Sequence, residues 1–377
     1  MQDWKTNLLN KIVEKYVNNS NEWVELEFDL NKVLELIIVS NNFYGKSSQE
    51  RGISVSKYLK TIGADEISKY STYYTVEESY SINLRKPSRL KYFNPSTWLE
   101  LAYCAANPQN YTKVERVKRS PSPKVIVFYS YRDSGDKTTS VAITGLKLVE
   151  KGYNVALMDL NLESPGLSAL INQKELPKKG FVDYFYDKSF GKVDVEVSID
   201  QTFFEVKTKF EWAGGNLFGF YPGELSPDYT CKLEYINPQV VLDDNETLWS
   251  VLKKEVYEHL DLDFILIDSA SGLSKWAALL LTQAADEALI FTDTSDNSIN
   301  GTNLILEAID VLGLKKKIVL SLLEFVNKDK AIENAWEKIN FSVKREDEFF
   351  VVPHFSLNNY TNINQIYSNI ARFIYSN

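Results

Sequence analysis

From Lys124 onward the sequence alternates short, almost wholly apolar runs with amphipathic stretches, and this alternation constrains the fold more than any other feature. The runs "KVIVFYS", "NVALMDL", "LDFILIDSA", "EALIFTD", "KKIVLSLLEFVN" and "EFFVVP" read as short buried strands. Residues 138–151 have helical period with Gly152 as a stop, and "SINGTNLILEAIDVLGL" reads as a further helix. Strands that alternate with helices imply right-handed crossovers, hence an α/β fold with a parallel sheet covered by helices on both faces. In such sheets the functional groups collect at the carboxyl ends of the strands.

The first 110 residues do not alternate in this way. "WKTNLLNKIVEKYV" sets Leu8, Ile12, Val13 and Tyr16 at helical spacing, and "DLNKVLELIIVSNNFYG" predicts a second amphipathic helix capped by Asp29. "YSTYYTVEESYSINL" suggests a strand or two, and "NPSTWLELAYCAANP" a short helix. Three domain-level segments are therefore expected: a small, mostly helical module at 1–110, a linker at 111–123, and the α/β domain at 124–377. The linker sits in "NPQNYTKVERVKRSPSPK", which has three prolines and five lysines or arginines.

Charge separates the same regions. Residues 1–123 carry 17 basic and 14 acidic side chains, net +3, so the total of −9 leaves −12 for the remainder, which argues against nonspecific nucleic-acid binding by the α/β part. Residues 85–124 hold nine basic residues against two acidic ones, a composition that fits either a nucleic-acid contact surface or a solvated linker. No apolar run approaches the roughly 18 residues of a membrane span, and a cytoplasmic protein is expected. Cys104 and Cys231 are too few for a disulfide framework, and His259 and His354 have no partners at metal-ligand spacing. Trp212, Trp249, Trp276 and Trp336 read as core residues.

The loop after "KVIVFYS" reads "YRDSGDKTT". A strand-to-helix loop binds phosphate when backbone N–H groups and a helix N-terminus converge on the anion, a lysine adds charge and a hydroxyl holds magnesium. Lys137 and Thr138, followed by Thr139, supply the lysine and the hydroxyl. The usual glycines are replaced by Tyr131 and Asp136, and Gly135 stands one position early. A carboxylate at Asp136 beside a phosphate would cost about 4 kcal/mol at about 4 Å and an effective dielectric of about 20, or roughly three decades of affinity. A plain strand-to-helix turn capped by Ser134 or Asp136 accounts for the same residues.

Around this loop, "EKGYNVALMDLNLESPGLSAL", "GFVDYFYD", "GNLFGFYPGELSPDY" and "DFILIDSASGLSKWAALLLTQAADEALIFTDTSDNSING" resemble the deviant P-loop ATPases of the ParA/MinD class, most closely the subgroup whose loop reads KGGVGR-T. The resemblance covers roughly residues 124–377. It implies a P-loop fold, ATP with magnesium, a homodimer and a protein partner. It places the dimer-bridging signature lysine on Arg132, the rest of the phosphate loop on Ser134, Gly135, Lys137, Thr138 and Thr139, and the magnesium ligands on Thr138 and Asp268. The family's D-x-D falls on Asp159 and Asn161, where the second position orients the attacking water; an asparagine there cannot accept a proton. Asn327 and the segment after Pro353 fall where the family contacts the base.

The departures cluster in the catalytic loop and spare the strands. They imply a pseudo-ATPase or very slow ATPase serving as a regulatory or scaffolding subunit, in keeping with relatives found in bacterial multi-gene systems, phage-defence loci among them. Two other readings stay open: an active ATP-dependent dimerisation switch, and a nucleic-acid adaptor using residues 85–124.

Overall fold

The computed structural model describes residues 2–19, 21–28, 33–82, 84, 97–106, 123–133, 136–171, 176–190, 197–207, 214–240, 242, 246–322, 328–339, 349–353 and 363–376. The chain divides into two units, Met1–Asn94 with Leu99–Val114, and Pro95–Trp98 with Glu115–Asn377.

In the first unit, helix α1 (Gln2–Tyr16) turns Leu8, Ile12 and Tyr16 onto a three-stranded sheet of β1 (Trp23–Phe28), β2 (Leu34–Val39) and β3 (Ser71–Tyr74). Strand β2 lies where the sequence predicted a second amphipathic helix. Its "LELIIV" ends in three β-branched residues, which favour the pleated conformation, and "WVELEF" of β1 pairs with it antiparallel. Leu36 and Ile38 then meet Val24 and Leu26 in the core. Asp29, the expected cap, falls outside the described residues. Helix α2 (Ser48–Thr61) starts at a Ser47/Glu50 capping box. The expected strand after Tyr70 is β3, and a short helix α3 (Val76–Ser81), started by a Thr75/Glu78 box, comes next. Arg51 grips the Glu78 carboxylate with both ends of its guanidinium, at 2.5 and 2.8 Å, tying α2 to α3. Helix α4 (Trp98–Ala106) is the short helix expected there.

The second unit is built on β4 (Lys124–Ser130), β5 (Val155–Leu160), β6 (Phe203–Glu205), β7 (Leu217–Phe220), β8 (Phe264–Ser269), β9 (Glu287–Asp293), β10 (Lys315–Leu322) and β11 (Phe349–Pro353). They form one eight-stranded sheet in the order β11-β10-β9-β4-β8-β5-β7-β6, parallel except for the edge pair β6–β7. Alternate residues of the central strands are buried on opposite faces. One face packs Ile126, Phe128, Leu157 and Leu266 against α5 (Asp136–Val149) and the helix Ile363–Tyr375. The other buries Val127, Tyr129, Met158 and Ile267 completely, which requires cover on that side as well. The expected α/β architecture is therefore present.

Among the described residues no helix is long and apolar enough to cross a membrane. Of the basic run at 85–124, Lys124 is committed to Glu287 at 3.0 Å and to the Ile374 carbonyl at 2.8 Å, so it is not a free phosphate contact. The other basic residues of that run lie outside the described residues.

Candidate functional site

Three central strands end side by side, and their register sets the site. Asp159 near the end of β5 lies directly opposite Asp268 of β8, which is in turn paired with Phe128 of β4. Two carboxylates in adjacent, fully buried positions need a cation. Lys137, in the first turn of α5, provides it: its Nζ donates to Asp268 Oδ1 at 2.5 Å and to the Ser269 carbonyl, with no solvent exposure on either side chain. The Thr138 hydroxyl donates to the other Asp268 oxygen at 2.6 Å. Lysine, threonine and acid thus converge on one point at the carboxyl edge of the sheet. Thr139, the next residue, is half-buried on α5.

Asp159 does a different job. Its oxygens accept the backbone N–H groups of Gly166 and Leu167 at 3.0 and 2.9 Å and of Asn161 at 3.3 Å, so it holds the "NLESPGL" loop in a closed turn. Burial, reinforced by the Asp268 charge, pushes its carboxyl up to about 7. The folded state therefore holds a proton that the unfolded chain releases near pH 4. The prediction is that stability falls as pH rises from about 4 to about 7 and then levels. Denaturant unfolding at pH 5 and pH 8 checks this: the loss should be present in the parent and reduced in Asp159→Asn.

The Asn161 carboxamide, where the family resemblance placed the water-orienting acid, is turned inward. Its Nδ2 donates to the Ser164 carbonyl at 2.7 Å within the same loop.

Asp136 departs from the sequence expectation. Its carboxylate is buried at the start of α5 and accepts the hydroxyl of Ser321 on β10. Here the strand-to-helix turn aims the side chain at β10, so the expected repulsion of a bound phosphate does not follow. An acid in the first turn of a helix is favoured by the helix dipole, and that is the one signal the sequence offered for this role. Ser321 itself carried no signal.

Tyr131 stands where the first loop glycine was expected, and its ring lies against Gly301 of the helix Asp296–Asp310 so closely that a Cβ there would overlap it. Tyr131 and Arg132, with Asn297, Asn300, Gly301 and Leu304, line a cavity of about 590 Å³. Arg132 is exposed. Gly301→Ala is expected to displace the whole tyrosine ring, a strain of about 1–3 kcal/mol partly offset by the roughly 1 kcal/mol alanine regains in a helix. Urea denaturation and the fluorescence of the aromatic residues would read both effects.

Ser134, Gly135 and Asn327 lie outside the described residues. Pro353 ends β11, and residues 354–362 lie outside the described residues.

A strand-helix junction bearing lysine and threonine, beside an acid at the end of a neighbouring parallel strand, invites comparison with known folds. The neighbours among solved structures are MinD and ParA-family P-loop ATPases. The MinC:MinD cell division protein complex of Aquifex aeolicus matches at 18% identity, over 67% of this chain and 96% of that one, with a TM-score of 0.48. The septum site-determining protein MinD complexed with Mg-ADP from Pyrococcus horikoshii OT3 matches at 16%, over 67% and 96%, with a TM-score of 0.49. A ParA family ATPase from Chlorobium tepidum TLS matches at 13%, over 68% and 100%, with a TM-score of 0.48. No family model and no curated protein matches the chain.

The donor set suits a magnesium nucleotide. Among the described residues no cluster of three or more His, Cys, Asp or Glu could hold a metal alone. Magnesium, however, is usually held by one or two protein oxygens together with substrate phosphates and water, and Thr138 and Asp268 are such a pair. Lys137, bonded to Asp268, is the cation beside that pair.

Proposed function

We propose that the second unit is a nucleotide-binding module that turns over ATP very slowly or not at all, and that it works as a regulatory or scaffolding subunit with a protein partner. The observation that carries this is the state of Asn161. Its N–H is spent on the Ser164 carbonyl, and the neighbouring Asp159 carboxylate is spent on backbone amides. An amide cannot take a proton from water, and the Asp159 side chain is held against the backbone of its own loop.

In this reading Thr138 and Asp268 would hold magnesium, which when bound would neutralise phosphate charge. Lys137 exchanges its Asp268 and Ser269 contacts for phosphate oxygens, while Asp159 keeps the "ESPGL" loop folded. The sequence resemblance supports a homodimer, with Arg132 exposed beside the site, and a role in a bacterial multi-protein system such as phage defence, carried out in the cytoplasm.

An active switch is the second reading, favoured by the convergence of Lys137, Thr138 and Asp268 within 2.5–2.6 Å. Asn161→Asp separates the two. If the missing proton acceptor is the defect, phosphate release should rise by about 10²-fold or more, the range a positioned base contributes. A parent enzyme that already releases phosphate at an ordinary rate would favour the switch and overturn the proposal.

A further inference from the structure

We propose that Trp98 is a positioning residue that latches the loop following Asp268, so that the hold of this indole sets how readily Lys137 leaves Asp268; the proposal rests on the nucleotide reading above. The loop, residues 269–274, is pinned along its length to β4. Gly272 donates its N–H to the Ser130 carbonyl at 3.1 Å, with a φ of +67° that suits glycine. The Ser130 and Ser271 hydroxyls meet at 3.0 Å. The Tyr129 hydroxyl donates to the Gly272 carbonyl at 2.8 Å, and burial keeps that phenol protonated far above its ordinary range.

Trp98 closes the far end. Its Nε1–H donates to the Ser274 carbonyl at 2.8 Å, and its ring tilts over Tyr129 with centroids 6.2 Å apart. Ser274 is a junction: its hydroxyl caps the short helix Lys275–Leu279 by accepting from the Trp276 N–H at 3.3 Å and reaches Glu163 of the Asn161 loop at 3.4 Å. The near end of the loop is Ser269, whose carbonyl holds Lys137. The indole therefore ties down the far end of the segment that connects the two acidic loops of the site.

Nothing in the alternating α/β pattern requires this residue. Trp98 precedes the whole sheet and lies 176 positions from its partner. The chain passes from the second unit to the first between Trp98 and Leu99, both within α4. The site thereby gains a contact from a residue outside its own strands. If binding requires Lys137 to leave Asp268, apparent affinity scales with the fraction of molecules in which the loop is released.

The test uses the full chain with Trp98→Phe, which keeps an aromatic ring against Tyr129 while removing the N–H donor and part of the indole's bulk. Tyr129→Phe serves as a second variant that removes the Gly272 contact. Amide hydrogen exchange of residues 270–275 is measured without nucleotide, and affinity for ATP with magnesium by calorimetry. Loss of one hydrogen bond is worth about 5-fold, so exchange should quicken by about that factor and ATP should bind about 3–5-fold more tightly in both variants. Unchanged exchange at 270–275 in Trp98→Phe overturns the latch, and quickened exchange with unchanged affinity overturns its control of Lys137. Should neither parent nor variant bind ATP, the nucleotide reading fails, and the exchange result alone decides the latch.

Discussion

Lys137→Ala is expected to abolish nucleotide binding and to destabilise the second unit by about 3–5 kcal/mol. The two effects have one cause. Lys137 is fully buried, and its Nζ joins the Asp268 carboxylate to the Ser269 carbonyl. Removing it leaves Asp268 facing Asp159 across adjacent strands with no buried cation between them. A buried charge stripped of its partner costs far more than the pair contributes, because its desolvation is no longer offset. Denaturant unfolding measures the first effect and calorimetric titration with ATP and magnesium the second. A variant as stable as the parent would contradict the buried pair. A stable variant that still binds ATP would remove Lys137 from the phosphate site.

Asp136→Gly is expected to cost about 2–3 kcal/mol, from one charge-assisted buried hydrogen bond and a glycine in the first turn of a helix, with no gain in ATP affinity. Sequence reasoning alone gives the opposite sign, since a carboxylate beside a phosphate would weaken binding by roughly three decades and its removal would restore them. The structure decides between these by direction. The carboxylate accepts the Ser321 hydroxyl, on a strand 185 residues away, and is buried there. A large rise in ATP affinity in Asp136→Gly would show that the side chain faces the anion after all.

These two residues mark how far the sequence could be read. The lysine, the hydroxyl and the acid at the end of "FILID" were legible because a parallel sheet brings the carboxyl ends of its strands together whatever the loops do. The direction of Asp136 was not, because it depends on β10, and no local pattern encodes a partner that distant. The same holds for "LELIIV", which carries enough apolar residues for a helical stripe and becomes a strand through pairing with "WVELEF". The inward turn of Asn161 was half legible. Its chemistry, an amide where a proton acceptor was needed, was evident from the sequence; its commitment to the Ser164 carbonyl required the folded loop.

The most direct test of the account is a calorimetric titration of the full chain with ATP and magnesium at millimolar nucleotide. The account predicts saturable, magnesium-dependent binding that returns to baseline after each injection, because Lys137, Thr138 and Asp268 accept the ligand while Asn161 and Asp159 stay committed to their own loop. A sustained heat after each injection, the sign of continuing hydrolysis, or no saturable binding at all would contradict it.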